Sequence, residues 1–213
     1  MNPANRLAQI SFTAGPAALL AGWVLMRPIE GSLVPGPWWT AAHLVWLAGF
    51  LMFAVMTLAL RGLAGPVTGG RRVAVEVLTV VALSGVAANA AQLVIDLYAG
   101  FAALDGEAMR ALFEQVKSYP GVEPVVYGAG AQIFYAALVA LAVLLAALRR
   151  ATPVSAAVTA SGVVLLGVAT FQDGRGSALV AVGMAVLWLG TLLLGRGPSG
   201  GGSGLGATTP SRA

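Results

Sequence analysis

The chain has 213 residues, 58% of them hydrophobic and only 9% charged, which leaves too little polar side chain to cover a water-soluble fold. Its formal net charge of +4 comes from arginines scattered as singles and pairs at the ends of apolar segments, without the basic stripe that a nucleic-acid partner requires. The absence of cysteine excludes disulfides, thiolate metal sites and cysteine nucleophiles.

A helix needs about 20 mostly apolar residues to cross a hydrocarbon core of about 30 Å. Six stretches approach that length, at about 8–26, 38–60, 73–97, 128–148, 154–170 and 178–194. They predict an all-α polytopic membrane protein, a six-helix transmembrane bundle occupying 1–197, followed by a disordered Gly/Ser-rich tail over 198–213. Arg6 before an apolar run resembles a secretory leader, but Pro16 interrupts the run and no small-x-small cleavage site follows, so the first stretch reads as a retained span. Pro16 removes a backbone donor and should kink or locally unwind that helix.

An even number of spans puts both termini on one side. Arg6, Arg61, Arg71, Arg72, Arg149, Arg150, Arg196 and Arg212 lie on that side, against Arg27, Arg110, Lys117 and Arg175 on the other. The positive-inside rule then predicts a multi-pass protein of the cell membrane with both termini cytoplasmic. The acids divide the other way: Glu30, Asp96, Asp105, Glu107, Glu114, Glu123 and Asp173 fall on the outer side, and Glu76 alone on the inner. Glu76, one turn after Arg71 and Arg72, is expected to pair with arginine at the cytoplasmic interface.

The longest loop, 98–127, lies on the outer side. Leu104, Met109, Leu112, Phe113 and Val116 recur in it at near-helical spacing, with charged residues between them. This predicts a short amphipathic outer-loop helix, either resting on the membrane or capping the bundle.

The third span carries Asn89, Gln92 and Asp96, which steps of three and four residues put on one helix face, with Gly85 extending the stripe inward. When the spans are laid antiparallel, His43, Gln132, Gln172 and Asp173 fall at the same level as this stripe, as do Trp46 and Tyr135 among many outer aromatics. Polar residues inside a membrane usually face the bundle interior, so a functional site is the first reading. The plainer one is that the amides and His43 join helices by hydrogen bonds, and that the aromatics form an interfacial belt. One histidine without cysteine, and without an H-x-x-x-H or E-x-x-H spacing, predicts no metal and no cofactor.

Two functions fit these residues. The first is an enzyme acting by proton transfer on a lipophilic small molecule, with Asp96 as the acid and His43 or Asp173 reclaiming or relaying the proton. Asn89, Gln92, Gln132, Trp46 and Tyr135 would then hold the substrate. The second is a non-enzymatic transporter, sensor or assembly subunit. Lipids are the expected surroundings in both, nucleic acid is not a partner, and small residues such as Gly162, Gly167, Gly183 and Gly190 leave a homo-oligomer open.

In size, span number and a carboxylate at a span end, the chain resembles the small membrane-bound terpene cyclases of bacterial indole-sesquiterpenoid pathways. The segments that carry this likeness of general plan are Trp38-Trp39-Thr40-Ala41-Ala42-His43-Leu44 and Asn89-Ala90-Ala91-Gln92-Leu93-Val94-Ile95-Asp96. The resemblance implies a metal-independent cyclase that protonates an alkene or epoxide of a prenyl chain and quenches the carbocation.

Overall fold

The computed structural model describes residues 3–29, 33–171 and 178–196. Within them the chain forms α1 (Pro3–Met26), α2 (Pro37–Leu63), α3 (Gly69–Ala102), α4 (Gly106–Lys117), α5 (Gly130–Ala147), α6 (Pro153–Phe171) and α7 (Ala178–Gly195), and no strand. A π-helical segment, Val122–Ala129, leads into α5. Five helices are long and apolar enough to cross a membrane, and a sixth span results when this π segment and the helix after it are taken together across a 44° bend. The protein is an all-α polytopic membrane bundle. Helices in lipid must satisfy their backbone internally, which is why so apolar a chain forms nothing else here.

The contacts close into a ring. α1 packs on α2, α2 on α3, α3 on α5, α5 on α6, α6 on α7, and α7 returns to α1. α2 and α3 run antiparallel, since Trp39 meets Asp96 at one end and Arg61 meets Glu76 at the other. The interior is filled from opposite sides by Phe50 and Phe53 of α2 and Phe134 of α5, whose rings lie 5.9 and 4.9 Å from that of Phe134. Met56, Leu60, Leu138, Leu141 and Leu145 continue this core and are fully buried or nearly so. Lipid offers no hydrophobic drive for helix association, so close packing must hold the ring together. Gly85 shows how: a Cβ there would fall 2.5 Å from the Phe134 backbone nitrogen, so α3 and α5 meet backbone to backbone.

Pro16 lies inside α1 without the expected unwinding, because the helix runs unbroken from Pro3 to Met26. The backbone group that Pro16 cannot satisfy is the Phe12 carbonyl, four residues earlier. The Thr191 hydroxyl of α7 lies 3.0 Å from that oxygen and 2.9 Å from the Trp188 carbonyl of its own helix, so its one proton serves both and supplies the missing donor in part. The vacancy left by a proline thus becomes the hydrogen bond that closes the ring between its first and last helices.

α3 continues to Ala102, beyond the hydropathic stretch that ends at 97, and the connection after it is correspondingly shorter. Asp105 caps α4 by accepting a hydrogen bond from the Ala108 N–H at 2.8 Å, the interaction that favours aspartate at a helix start. Met109 and Phe113 of α4 turn inward against Trp39, Ala99 and Ala103, while Leu104, assigned to the apolar face from its spacing, is 96% exposed. The amphipathic helix therefore caps the end of α2 and α3 and does not rest clear of the bundle. The tail over 198–213 lies outside the described residues.

Candidate functional site

The site lies at the end of the ring covered by α4. Asn89, Gln92 and Asp96 share one face of α3, with Asn89 and Asp96 buried. Asp96 is 7% exposed and His43, across the α2–α3 contact, 3% exposed. Their nearest atoms, His43 Nε2 and Asp96 Oδ2, are 3.6 Å apart. This is within ion-pair distance if the imidazole is protonated and too long for a direct hydrogen bond.

The histidine tautomer follows from its other partner. Nδ1 lies 2.7 Å from the Trp39 carbonyl oxygen. A carbonyl can only accept, so Nδ1 carries the proton and Nε2 is the nitrogen presented to Asp96. Trp39 holds the pair in a second way, because its indole N–H donates to the Asp96 backbone oxygen at 2.8 Å. Its ring also stacks on His43 with centroids 4.2 Å apart. Trp46 packs edge-on against the other side of the imidazole at 5.2 Å and donates its indole N–H to the Leu19 carbonyl of α1 at 3.0 Å. The imidazole is therefore held between two indoles, each tied to a neighbouring helix.

Tyr127, on the π segment, donates its hydroxyl to Asp96 Oδ1 at 3.1 Å. Its ring lies 5.4 Å from the Lys117 ammonium of α4, within the range of a cation–π contact. The π turn and the cap thus bear directly on the carboxylate.

Beside Asp96 lies a cavity of about 190 Å³, lined by Leu19, Trp46, Phe50, Asn89, Gln92, Leu93, Asp96, Tyr135 and Met184. Its amide and carboxyl groups all come from α3, and its aromatic wall, which carries the Tyr135 hydroxyl and the Trp46 indole N–H, comes from α2 and α5. Asn89 donates its amide to the Gly85 carbonyl at 2.8 Å, one turn back, which leaves the side-chain oxygen for a guest.

Of the residues singled out from the sequence, Asp96, His43, Asn89, Gln92, Trp46 and Tyr135 converge here. Gln132 does not: it is exposed and lines no part of the cavity, because it falls in the first turn of α5 where the chain bends, with its neighbour Phe134 taking the inward position. Asp173, Gln172 and Glu30 lie outside the described residues. Trp39 and Tyr127 play roles that sequence reasoning did not give them. Trp39 sits one turn before His43, a spacing that could have marked it; Tyr127 had no signal, since it stands in a segment with no recognisable period. Among the described residues no three His, Cys, Asp or Glu side chains gather as metal ligands. Glu76, at the far end, pairs with Arg61 of α2 at 2.7 and 2.8 Å, not with the arginines of its own helix.

No known protein family, curated protein or solved structure matches the chain.

Proposed function

We propose that the protein is a membrane-embedded enzyme that protonates a lipophilic alkene or epoxide and acts as a prenyl-chain cyclase. One observation carries this reading: the Asp96 carboxyl forms part of the wall of an aromatic cavity, with an imidazole as its only ion-pairing neighbour among the described residues. A carboxylate kept for structure is usually matched by arginine, as Glu76 is. A carboxyl set against an imidazole can exchange a proton with it.

In the proposed step on an alkene, the Asp96 O–H bond breaks and a C–H bond forms at one alkene carbon, leaving positive charge on the more substituted carbon. Attack by a second double bond closes the ring. A proton then leaves the carbon next to the new cation and returns to the Asp96 carboxylate, so the product is an isomer of the substrate. Trp46, Phe50 and Tyr135 present aromatic faces to the cation. The Tyr127 hydroxyl holds the carboxyl in place, His43 Nε2 stands beside it as a proton acceptor, and α4 limits the access of water that would quench the cation as an alcohol.

The test is mass spectrometry of lipid extracts from cells expressing the wild type or Asp96→Asn, fed prenylated indoles or free polyprenyl alcohols. The expected result is a product isomeric with its precursor, absent from the variant at equal membrane levels. Identical extracts with both precursors recovered unchanged would overturn cyclisation of these substrates.

A further inference from the structure

At the opposite end of the ring a second cavity, of about 440 Å³, opens between the end of α2 and the start of α3, lined by Arg61, Gly62, Gly65, Pro66, Val67, Arg72, Val75 and Glu76. Its charge is unbalanced. Arg61 occupies both oxygens of Glu76, so Arg72 adds positive charge that this carboxylate does not hydrogen-bond. Arg150, from the α5–α6 connection, is not part of this lining but brings a guanidinium against Gly65, which is, its Nη2 lying 3.2 Å from where a Cβ on Gly65 would sit.

The backbone is shaped to bring Arg150 there. α5 ends in a Schellman turn, with the Arg149 N–H bonded to the Ala146 carbonyl at 2.9 Å and the Arg150 N–H to the Leu145 carbonyl at 2.8 Å. The left-handed position of that turn, which normally takes glycine, is filled by Arg149 at φ 57°. The cavity side answers with Gly65 at φ +66°, where a side chain would be both strained and crowded against the guanidinium. Two connections from different parts of the chain thus meet at Gly65, with Arg72 in the cavity lining and Arg150 beside that glycine. The exposed Leu63 and Val73 beside it continue the surface as apolar.

We propose that this cavity binds the phosphate of an anionic lipid headgroup, with Arg72 and Arg150 as the charged contacts and the acyl chains lying along the apolar ends of α2 and α3. Guanidinium forks match phosphate oxygens, and basic pockets between transmembrane helices near one interface suit such headgroups. Free phosphate presents the same chemistry without the chains. This site stands apart from Asp96 and does not rest on the proposed chemistry there.

The experiment is native mass spectrometry of the purified full chain in neutral micelles, titrated with phosphatidylglycerol, with phosphatidylcholine, and with inorganic phosphate alone. The wild type is expected to retain phosphatidylglycerol over phosphatidylcholine, and Arg72→Gln and Arg150→Gln each to weaken that binding about fivefold. Arg6→Gln, which removes the same charge at the same end away from the cavity, should leave it unchanged. Inorganic phosphate displacing the lipid, with the same loss in both variants, would support the site through its phosphate contacts; phosphate bound without lipid preference would assign the site to free phosphate. Binding undiminished in both variants, or weakened equally by Arg6→Gln, would overturn the proposal.

Discussion

The two ends of the ring use carboxylates in opposite ways. Glu76 is held by both arms of Arg61 in a pair whose side chains are 41% and 49% exposed, respectively. Asp96, at the other end, is buried under a cap and faces an imidazole, a phenol and a cavity. The first arrangement neutralises a charge in water, where an ion pair contributes little. The second keeps an ionisable group where charge is costly, and such positions are where membrane proteins place chemistry. A carboxylate in a bundle is therefore read from its neighbours and not from its presence in a span.

The sharpest way to break this contrast is to neutralise each carboxylate without changing its shape. Asp96→Asn should cut turnover by about 10²–10⁴, the range of a general acid, measured as isomer formed per unit of membrane protein. Phe134→Ala removes the ring shared by both halves of the core and should destabilise the bundle by about 3–5 kcal/mol, read from its unfolding midpoint in detergent. Thr191→Val keeps the volume but leaves the Phe12 carbonyl without its donor. A loss of about 1 kcal/mol is expected, and the same valine in a Pro16→Ala background should cost less, since the helix can then supply the bond itself. Glu76→Gln is expected to leave both turnover and unfolding midpoint unchanged; a loss comparable to that of Asp96→Asn would erase the distinction between the two ends.

Much of this architecture was legible in the sequence because membranes impose simple lengths and periods. The spans follow from apolar run length, and the Asn89–Gln92–Asp96 stripe from helical spacing. The level shared by His43 and Asp96 follows from antiparallel direction alone. What could not be read depends on contacts between helices. Nothing in the local pattern of Pro16 names Thr191 as the residue that repairs it. That Glu76 pairs with an arginine at its own end of the bundle can be read from the charges there, but which arginine cannot: the facing helix presents Arg61 in a two-armed geometry. Tyr127 reads as part of a loop because the π turn has neither the hydropathy of a span nor the period of an α-helix. Depth in the span puts Gln132 level with the stripe but does not give rotation, and at the bent start of α5 the rotation carries it outward.

The central claim is that Asp96 delivers a proton to carbon. Membranes containing the wild-type protein, equilibrated in D2O so that the Asp96 carboxyl is deuterated and then given an alkene prenyl-chain substrate for a single turnover, test it most directly through the isotopic content of the product. Incorporation of one deuterium at a ring carbon, absent with Asp96→Asn, is the predicted result. A cyclised product free of deuterium, or one formed equally by the variant, would contradict it.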